Sequence, residues 1–461
     1  MTSPVDSAPS APPGRGPHSV DLALFGAKPV IRAGAHTLWP VIGERERRAL
    51  GRVLDRGILS GPFAPESVAF EAEFAEFVGA KHAVLTHCGT SALAVALSAA
   101  GVRAGDEVIV PAYSFVATPL AVVQAGAIPV FADVDISTGC LDPAAAEAAI
   151  TARTRAIMPV HMHGCAADMA ALLEVARRHD LVDVEDAAQA HGATFGGKAV
   201  GAIGAAGGFS LQSSKNLSAG EGGLFVTNDD ALAAEAGAVR NFGQELAPID
   251  AATYDLTRPL DGTRSLDCKR LGSMYRGNEM MAAFARAQLA KLPARTLRAQ
   301  TNAGRLTRAL ADLPGVDAPH VPDGRTSVHH KFRVRVDPAA AGLALPAEPL
   351  RDALVHALRA EGLEVVLWQE APLSAQTVFQ KRDPSGGFPR SQPGGTDLGA
   401  NYDPARYPHT GALLEGSLVL FSQSCPLIAQ EDAVVDRYAE AFQRVWHHRQ
   451  ALAEWAARTP S

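Results

Sequence analysis

Short apolar runs alternate with amphipathic stretches along the first half of the chain. The runs are four to six residues long, and the stretches between them carry apolar residues at helical spacing. This alternation predicts a mainly parallel sheet that is covered by helices on both faces. The predicted strands are 82–86, 107–110, 128–133, 155–160 and 181–185. The helices between them are predicted to begin near Ser91, Thr118, Pro143 and Asp168.

The pattern changes after a long helical stretch from about residue 279 to 310. Mixed strand-like and helical segments follow it and predict a smaller α+β domain. Its strands are predicted at 332–336 and 363–367, and its helices at 350–361 and from 431 to about 449. Two polar stretches rich in Gly and Pro, 244–270 and 381–409, are predicted to be long loops or lids.

The length of the chain indicates more than one domain. Its 461 residues exceed what one ordinary hydrophobic core needs. Residues 1–20 are predicted to be a disordered tail, because they are rich in Pro, Ser, Ala and Gly and lack the apolar segment of a signal peptide. An N-terminal arm and a large domain are predicted over 21–296, and a small C-terminal domain over 297–461.

Composition excludes several classes of partner. The net charge is −7 and the chain has no basic stripe with interleaved aromatic residues, so a nucleic-acid partner is not expected. No apolar run approaches the roughly 20 residues of a membrane span. The five cysteines are scattered without CxxC or metal-ligand spacing. They predict free thiols in a reducing cytoplasm and no metal site.

Lys215 is the most informative single residue. It lies in the otherwise uncharged run 209–220, in a chain with only eight lysines among its 42 basic residues. A buried lysine loses its proton readily and can form an imine with an aldehyde cofactor, which an arginine cannot do. Taken alone, the commoner interpretation would be a surface lysine in a glycine-rich loop.

Asp186 follows the predicted strand 181–185, at the edge of the sheet where active sites of such folds lie. A carboxylate there can hold the proton on a pyridine nitrogen, although the same residue could simply cap a helix. A Schiff-base lysine and an acidic partner for the pyridinium are the contributions that pyridoxal 5′-phosphate requires from a protein. Lys215 and Asp186 together therefore predict this cofactor.

The segment His87–Ser91 joins a predicted strand to a helix and is a candidate phosphate loop. Gly89 permits close approach of the backbone, and the amides of Thr90 and Ser91 open the helix. An ordinary N-cap is the commoner interpretation of such a segment. Ser210 can add a hydroxyl to the phosphate, and Phe115 can stack on the pyridine ring, although a Phe at this position usually packs in the core.

Two histidines follow another predicted strand. His161 and His163 have no partner at the spacing of metal ligands. We therefore interpret them as pocket-lining or core residues and predict no metal.

From about Leu22 to the final helix, the chain resembles the DegT/DnrJ/EryC1/StrS aminotransferases. These are pyridoxal-phosphate enzymes of fold type I, like aspartate aminotransferase, and they aminate keto-sugars and keto-cyclitols. The motifs that carry the resemblance are Gly89–Leu93, Gly105–Ala112, Gly126–Asp135, Pro159–His161, Glu185–Ala193, Phe209–Ser210, Lys215 and Gly220–Gly223. Leu22–Val30, Phe209–Gln212, His330–Val336 and Trp368–Leu373 resemble the branch of scyllo-inosose aminotransferases and 3-amino-5-hydroxybenzoate synthases.

The resemblance implies a role for each candidate residue. Lys215 would form the internal aldimine and move a proton between the substrate and the cofactor, while Asp186 would keep the pyridine nitrogen protonated. Gln189 would lie near the ring hydroxyl, and Phe115 would stack on the ring. The phosphate would be held by Thr90, Ser91 and Ser210, next to Gly89.

One segment departs from the family pattern. The family usually has Gly-x-Asn-Tyr-Arg before its long helix, and that asparagine reaches the phosphate of the neighbouring subunit. Met274 stands in its place, followed by Tyr275 and Arg276. A thioether cannot donate a hydrogen bond, so this contact is in doubt. The resemblance still implies a homodimer with shared active sites, and C2 pairing is the commonest assembly.

The leading hypothesis is a cytoplasmic aminotransferase that moves nitrogen from glutamine or glutamate to a keto-cyclitol or keto-sugar in antibiotic biosynthesis. A dehydratase and aromatase like the 3-amino-5-hydroxybenzoate synthases is an alternative, because it begins with removal of a proton from the same carbon. A non-catalytic regulatory protein of the same fold is a third possibility, although such proteins are expected to lose the lysine or the aspartate. A nicotinamide enzyme is disfavoured, because no GxGxxG follows the first strand.

Overall fold

The computed structural model describes residues 20–245, 267–380 and 402–459. Residues 1–19 of the predicted tail and most of the two polar stretches, 244–270 and 381–409, lie outside the described residues. The helices are α1 Glu44–Arg56, α2 Pro65–Val78, α3 Gly89–Ala99, α4 Ala117–Gln124, α5 Pro143–Ala148, α6 Met169–Arg178, α7 Asp230–Arg240, α8 Glu279–Leu289, α9 Leu292–Leu310, α10 Ala347–Ala360, α11 Thr377–Gln380, α12 Pro408–Gly416, α13 Asp432–His447 and α14 Arg449–Arg458. The strands are β1 His82–Thr86, β2 Glu107–Pro111, β3 Ile128–Ala132, β4 Thr154–Ile157, β5 Val182–Asp186, β6 Thr194–Phe195, β7 Lys198–Ala199, β8 Ala206–Ser210, β9 Gly223–Thr227, β10 Val316–Asp317, β11 Phe332–Val336, β12 Val365–Val366 and β13 Ser417–Leu420.

A seven-stranded sheet in the order β1-β9-β8-β5-β4-β2-β3 forms the centre of the larger part. Strands β3, β2, β4, β5 and β8 pair in parallel, whereas β9 runs antiparallel to both of its neighbours. The prediction of a mainly parallel sheet is confirmed. Because the parallel strands end at one edge, the ends of β2, β5 and β8 meet there with the start of α3.

Polar side chains begin several helices of this layer. Asp142, Asp168 and Asp229 accept hydrogen bonds from backbone amides in the first turns of α5, α6 and α7, and Asn278 does the same for α8. Such caps satisfy amides that have no partner within the helix. They explain why the helix starts that were predicted near Pro143 and Asp168 agree with the structure.

A four-stranded antiparallel sheet in the order β10-β11-β13-β12 forms the smaller part. Helices α10 and α13 cover it with buried residues that include Leu354, Phe442 and Trp446. Leu22 and Ile31 pack in this same core, so the N-terminal arm contacts the small part rather than only the large one.

Helix α9 connects the two cores. Its first half contributes Leu292 and Ala299 to a core of the large part, and its second half contributes Ala303, Leu306 and Leu310 to that of the small part. The predicted boundary between residues 296 and 297 therefore falls inside one continuous helix.

Within the described ranges, none of the cysteines forms a disulfide. No helix there is long and apolar enough to cross a membrane.

Candidate active site

Lys215 lies in the loop between β8 and β9, and its backbone is bonded to two other residues. Its amide donates to the Gln212 carbonyl at 2.8 Å, and the indole of Trp39 donates to its own carbonyl at 3.1 Å. The Gln212 side chain accepts from the amide and hydroxyl of Ser214 at 2.9 and 2.7 Å. These bonds fix the direction in which the lysine side chain leaves the loop.

The Lys215 side chain is buried, with 9% of its surface exposed. Burial lowers its pKa to about 8, although the nearby Asp186 opposes this effect. Burial disfavours the ammonium because the low-dielectric interior solvates charge poorly. The neutral, nucleophilic form of Lys215 is therefore far more populated near neutral pH than that of an ordinary lysine, although the ammonium still predominates.

Asp186 ends β5 at the same edge of the sheet. Its carboxylate accepts from the Thr118 hydroxyl at 2.7 Å and from the Ala188 amide at 3.1 Å. The Ser114 hydroxyl in turn lies 2.8 Å from the Thr118 hydroxyl. Burial raises the pKa of Asp186, and these hydrogen bonds and Lys215 counteract that rise. The carboxylate is thus fixed in orientation, and an adjoining cation would favour its ionised form.

A cavity of about 270 Å³, called here the inner cavity, brings these two residues together. Seven of the predicted cofactor residues line it, namely Gly89, Thr90, Phe115, Asp186, Gln189, Ser210 and Lys215. The Gln189 side chain is held in place because its carbonyl accepts from the His163 amide at 3.0 Å. Phe115 is 53% exposed, so one face of its ring is available to a ligand or to another chain.

The inner cavity fits a phosphate at the first turn of α3. A Cβ atom on Gly89 would lie 2.6 Å from the Cβ of Ser210, so only glycine allows the helix start to approach β8 this closely. Gly89 and Thr90, at the start of α3, line this narrow space together with Ser210, and amides at this position lack intrahelical partners. The Ser91 amide donates instead to the Cys88 sulfur at 3.4 Å. The cradle, the lysine and the aspartate together fit a phosphorylated pyridine aldehyde.

Ser91 is the predicted phosphate contact that the structure does not bring to the cavity wall. It is buried, and its hydroxyl lies 3.1 Å from His87 Nε2 and 3.2 Å from the Cys88 sulfur. Because α3 turns by about 100° per residue, the side chain after Thr90 points into the protein.

His161 is fully buried and both of its ring nitrogens are occupied. Nε2 lies 2.9 Å from Glu185, and Nδ1 accepts from the Ala167 amide at 3.1 Å. His161 is therefore a core residue that supports the strand bearing Asp186. His163 contacts the site indirectly, since its amide positions Gln189 and its Nε2 lies 2.9 Å from the Tyr113 hydroxyl. Among the residues that the structure describes, neither histidine belongs to a group of His, Cys, Asp or Glu that could hold a metal ion.

Tyr275 and Arg276 do not line the inner cavity of their own chain. The Tyr275 ring stacks on His87 at 5.8 Å, and the Arg276 guanidinium lies 6.0 Å from the Phe242 ring and bonds to Asn241. Met274 precedes them with 47% of its surface exposed. They lie beside the phosphate loop, and their role toward a neighbouring subunit stays a prediction.

Several wall residues were missed by the sequence reasoning. Thr118, Gln212, Ser214, Glu221, Trp368 and Gln423 also line the inner cavity. Thr118 could have been found, because it follows a predicted strand at the active edge, as Phe115 does. Trp368 and Gln423 lie in the small part of the chain, and no local pattern reveals that they approach Lys215.

The fold and the cavity define an α/β enzyme of fold type I, the class to which aspartate aminotransferase belongs. A model of the DegT/DnrJ/EryC1/StrS aminotransferase family matches residues 40–393. The chain belongs to this family and is an aminotransferase, so the predicted family, fold class and enzyme class are confirmed.

Individual relatives agree with the predicted branch. The chain is 40% identical over 349 residues to a putative L-glutamine:3-amino-2,3-dideoxy-scyllo-inosose aminotransferase of Streptoalloteichus tenebrarius, covering 75% of this chain and 79% of the relative. It is 38% identical over 427 residues to the L-glutamine:scyllo-inosose aminotransferase of Streptomyces griseus, covering 88% and 93%. The crystal structure of a 3-amino-5-hydroxybenzoic acid synthase is similar with a TM-score of 0.76 and 31% identity, covering 93% of this chain and all of that one.

Proposed function

We propose that the protein is a pyridoxal-phosphate aminotransferase that moves the amino group of glutamine or glutamate to a keto-cyclitol or keto-sugar. The observation that carries this proposal is the pairing of Lys215 and Asp186 in one buried cavity beside the Gly89 cradle. The relatives named for glutamine and scyllo-inosose support the choice of donor and acceptor.

Different residues of the chain would transfer the proton, stabilise the cofactor ring and bind its phosphate. When bound, the cofactor supplies an electron sink that makes a proton on the adjoining substrate carbon acidic. The Lys215 amine removes and returns that proton, because burial lowers its pKa and makes the neutral amine accessible near neutral pH. Asp186 holds the proton on the pyridine nitrogen, and the Thr118 hydroxyl fixes the carboxylate for that task. Thr90, Ser210 and the first amides of α3 would hold the phosphate, while Phe115 and Gln189 would orient the ring.

The two alternative functions have different support. A dehydratase like the 3-amino-5-hydroxybenzoate synthases would need a cation that binds the substrate carboxylate. Lys331, which lines a second cavity next to the inner cavity, is a candidate for that cation. A non-catalytic regulatory role is disfavoured, because Lys215 and Asp186 are both retained and buried.

We infer that two copies of the chain form a homodimer. Four exposed apolar side chains lie on the segments that flank Tyr275, which stacks on His87 of the phosphate loop: Leu271 is 97% exposed, and Phe242, Met274 and Met280 are also accessible. Such a patch is unfavourable in water and is typical of an interface. A second copy would cover it and would close the active site from the side of Met274. The absence of disulfides among the described cysteines suits a cytoplasmic enzyme.

An absorbance spectrum of the purified protein tests the reaction. A band near about 420 nm should appear with pyridoxal phosphate and shift to about 330 nm on addition of L-glutamine. Lys215→Ala should lose the shift, whereas Lys198→Ala, at an exposed position in the β6–β7 hairpin, should keep it. A wild-type protein that stays colourless with added cofactor would refute the proposal.

A further inference from the structure

A second cavity of about 520 Å³, called here the outer cavity, adjoins the inner cavity. The two share Phe115, Trp368 and Gln423 in their walls. A molecule that reacts next to Lys215 can therefore extend into the outer cavity.

Lys331 is the charged residue of the outer cavity. Among the described residues that line this cavity, no other side chain carries a charge, and none is a carboxylate. Lys331 is 3% exposed and its Nζ has no hydrogen-bond partner within the described ranges. Its amide donates to the His163 carbonyl at 3.3 Å, and the His163 amide in turn donates to Gln189, which lines the inner cavity.

Two further buried polar groups near Lys331 also lack partners. Nζ of Lys331 lies 5.7 Å from the centre of the Trp368 ring, and the His163 ring lies 5.4 Å from the same ring. Within the described part of the chain, the Trp368 indole N–H and Nδ1 of His163 make no hydrogen bond. The Tyr113 hydroxyl can donate to Nε2 of His163, which leaves the proton of a neutral ring on Nδ1. Three donors without an acceptor partner are thus gathered around Trp368, and the Gln369 side-chain carbonyl in the outer-cavity wall is a buried acceptor that lacks a partner within the described ranges.

The chemistry of these groups selects an anion. Burial lowers the pKa of Lys331 to about 8, so the amine is still mostly charged at neutral pH. A buried charge without a partner is unfavourable, and a carboxylate would relieve it. Arg333 cannot neutralise the charge of Lys331, because its guanidinium is itself positively charged. That guanidinium donates to the Ser137 carbonyl at 2.8 Å.

We propose that Lys331 and the indole N–H of Trp368 form a carboxylate subsite that binds the α-carboxylate of the amino donor. The inference rests on the proposed function, because an amino acid must present its amine near Lys215 while its carboxylate lies a few ångströms away. Lys331 would thereby distinguish an amino acid from a simple amine.

The test compares wild-type holoenzyme with Lys331→Met and Lys331→Arg. L-glutamine and 4-aminobutanamide, which is glutamine without its carboxylate, are titrated while the band near about 420 nm is followed. In Lys331→Met the half-saturating concentration of glutamine should rise by about tenfold or more, and that of 4-aminobutanamide should not change. Lys331→Arg should recover part of the loss, and Lys198→Met serves as the matched control.

Calorimetric titration with glutarate adds a readout that does not need turnover. Wild type should bind this unreactive dicarboxylate more tightly than Lys331→Met, while both retain the spectrum and thermal stability of a folded holoenzyme. Equal glutamine and glutarate affinities in the two proteins would overturn the proposal. An effect restricted to a carboxylated ketone acceptor would also overturn it. If wild type does not react with glutamine at all, the proposed function fails, and glutarate binding alone decides the role of Lys331.

Discussion

Replacing Lys331 by methionine should stabilise the protein, although the residue lies in a candidate substrate site. Methionine is one heavy atom shorter than lysine, is similarly unbranched, and has no charge to bury. In the folded chain the pKa of Lys331 falls from its ordinary 10.5 to about 8, mainly through burial and secondarily through Lys215. One pKa unit corresponds to about 1.4 kcal/mol, so the lowering corresponds to roughly 3 kcal/mol of unfavourable free energy for the charged form.

Two effects reduce the stabilisation that is expected from removing the Lys331 charge. The variant loses the cation–π contact with Trp368, which is worth about 0.5–2 kcal/mol. In the holoenzyme Lys215 also carries less charge, so repulsion between the two amines weakens. A net stabilisation of about 1–3 kcal/mol at pH 7 remains, which for a chain of this size raises the unfolding temperature by roughly 1–4 °C.

The pH dependence has a definite sign. Below pH 8 Lys331 is charged in both states, and the full cost is present. Between pH 8 and 10.5 the folded chain releases the proton first, so the cost in wild type decreases as the pH rises. The advantage of Lys331→Met should therefore be largest at pH 7 and small at pH 10.

Differential scanning calorimetry of cofactor-saturated protein at these two pH values measures the effect. Lys198→Met removes an exposed charge and should change the unfolding temperature little at either pH. A Lys331→Met protein that is less stable than wild type at pH 7, or equally shifted at pH 7 and 10, would refute the view of Lys331 as a buried, unpartnered cation.

Three further predictions concern the cofactor. Gly89→Ala should weaken pyridoxal-phosphate binding by about tenfold or more in a fluorescence titration, because its Cβ would collide with Ser210, whereas Gly237→Ala on α7 meets open space and should bind normally. Thr118→Val should keep the cofactor but lower kcat by about tenfold, measured in single-turnover experiments with glutamine, since Asp186 loses a 2.7 Å hydrogen bond. Equal kcat in the two proteins would exclude this role for Thr118. The rate at which cofactor-free protein captures pyridoxal should rise with pH around a midpoint near 8, where the Lys215 amine loses its proton, and a flat profile from pH 6 to 9 would contradict the lowered pKa.

Much of the large sheet could be predicted because its strands are apolar and bounded by helices. The predicted strands at 82–86 and 107–110 agree with β1 and β2 to within one residue. The bounds of strand β8, which precedes Lys215, could not be predicted, since its Ala-Gly-Gly-Phe-Ser sequence has low β propensity. The structure explains these residues by packing, because a Cβ on Gly208 would lie 2.5 Å from Leu93 and one on Gly207 would collide with Gly201.

The candidate site was predictable where chemistry and chain position coincide. Lys215 and Asp186 could be identified because few residue types suit their roles and both lie near strand ends. The orientation of Ser91 and the approach of Trp368 to Lys215 could not be predicted, since they depend on helix rotation and on packing between distant segments. The role of Lys331 could not be predicted either, because a lysine before a strand is normally solvated and its burial depends on packing between distant segments.

The positions of the two lysines have a mechanical consequence. Lys215 follows a strand of the seven-stranded sheet, whereas Lys331 immediately precedes β11 of the four-stranded sheet. A donor that contacts both amines would act as a crosslink between the two parts of the chain and would restrict their relative motion. Release of the spent keto acid would remove that crosslink, so the second substrate would meet a looser enzyme than the first one did.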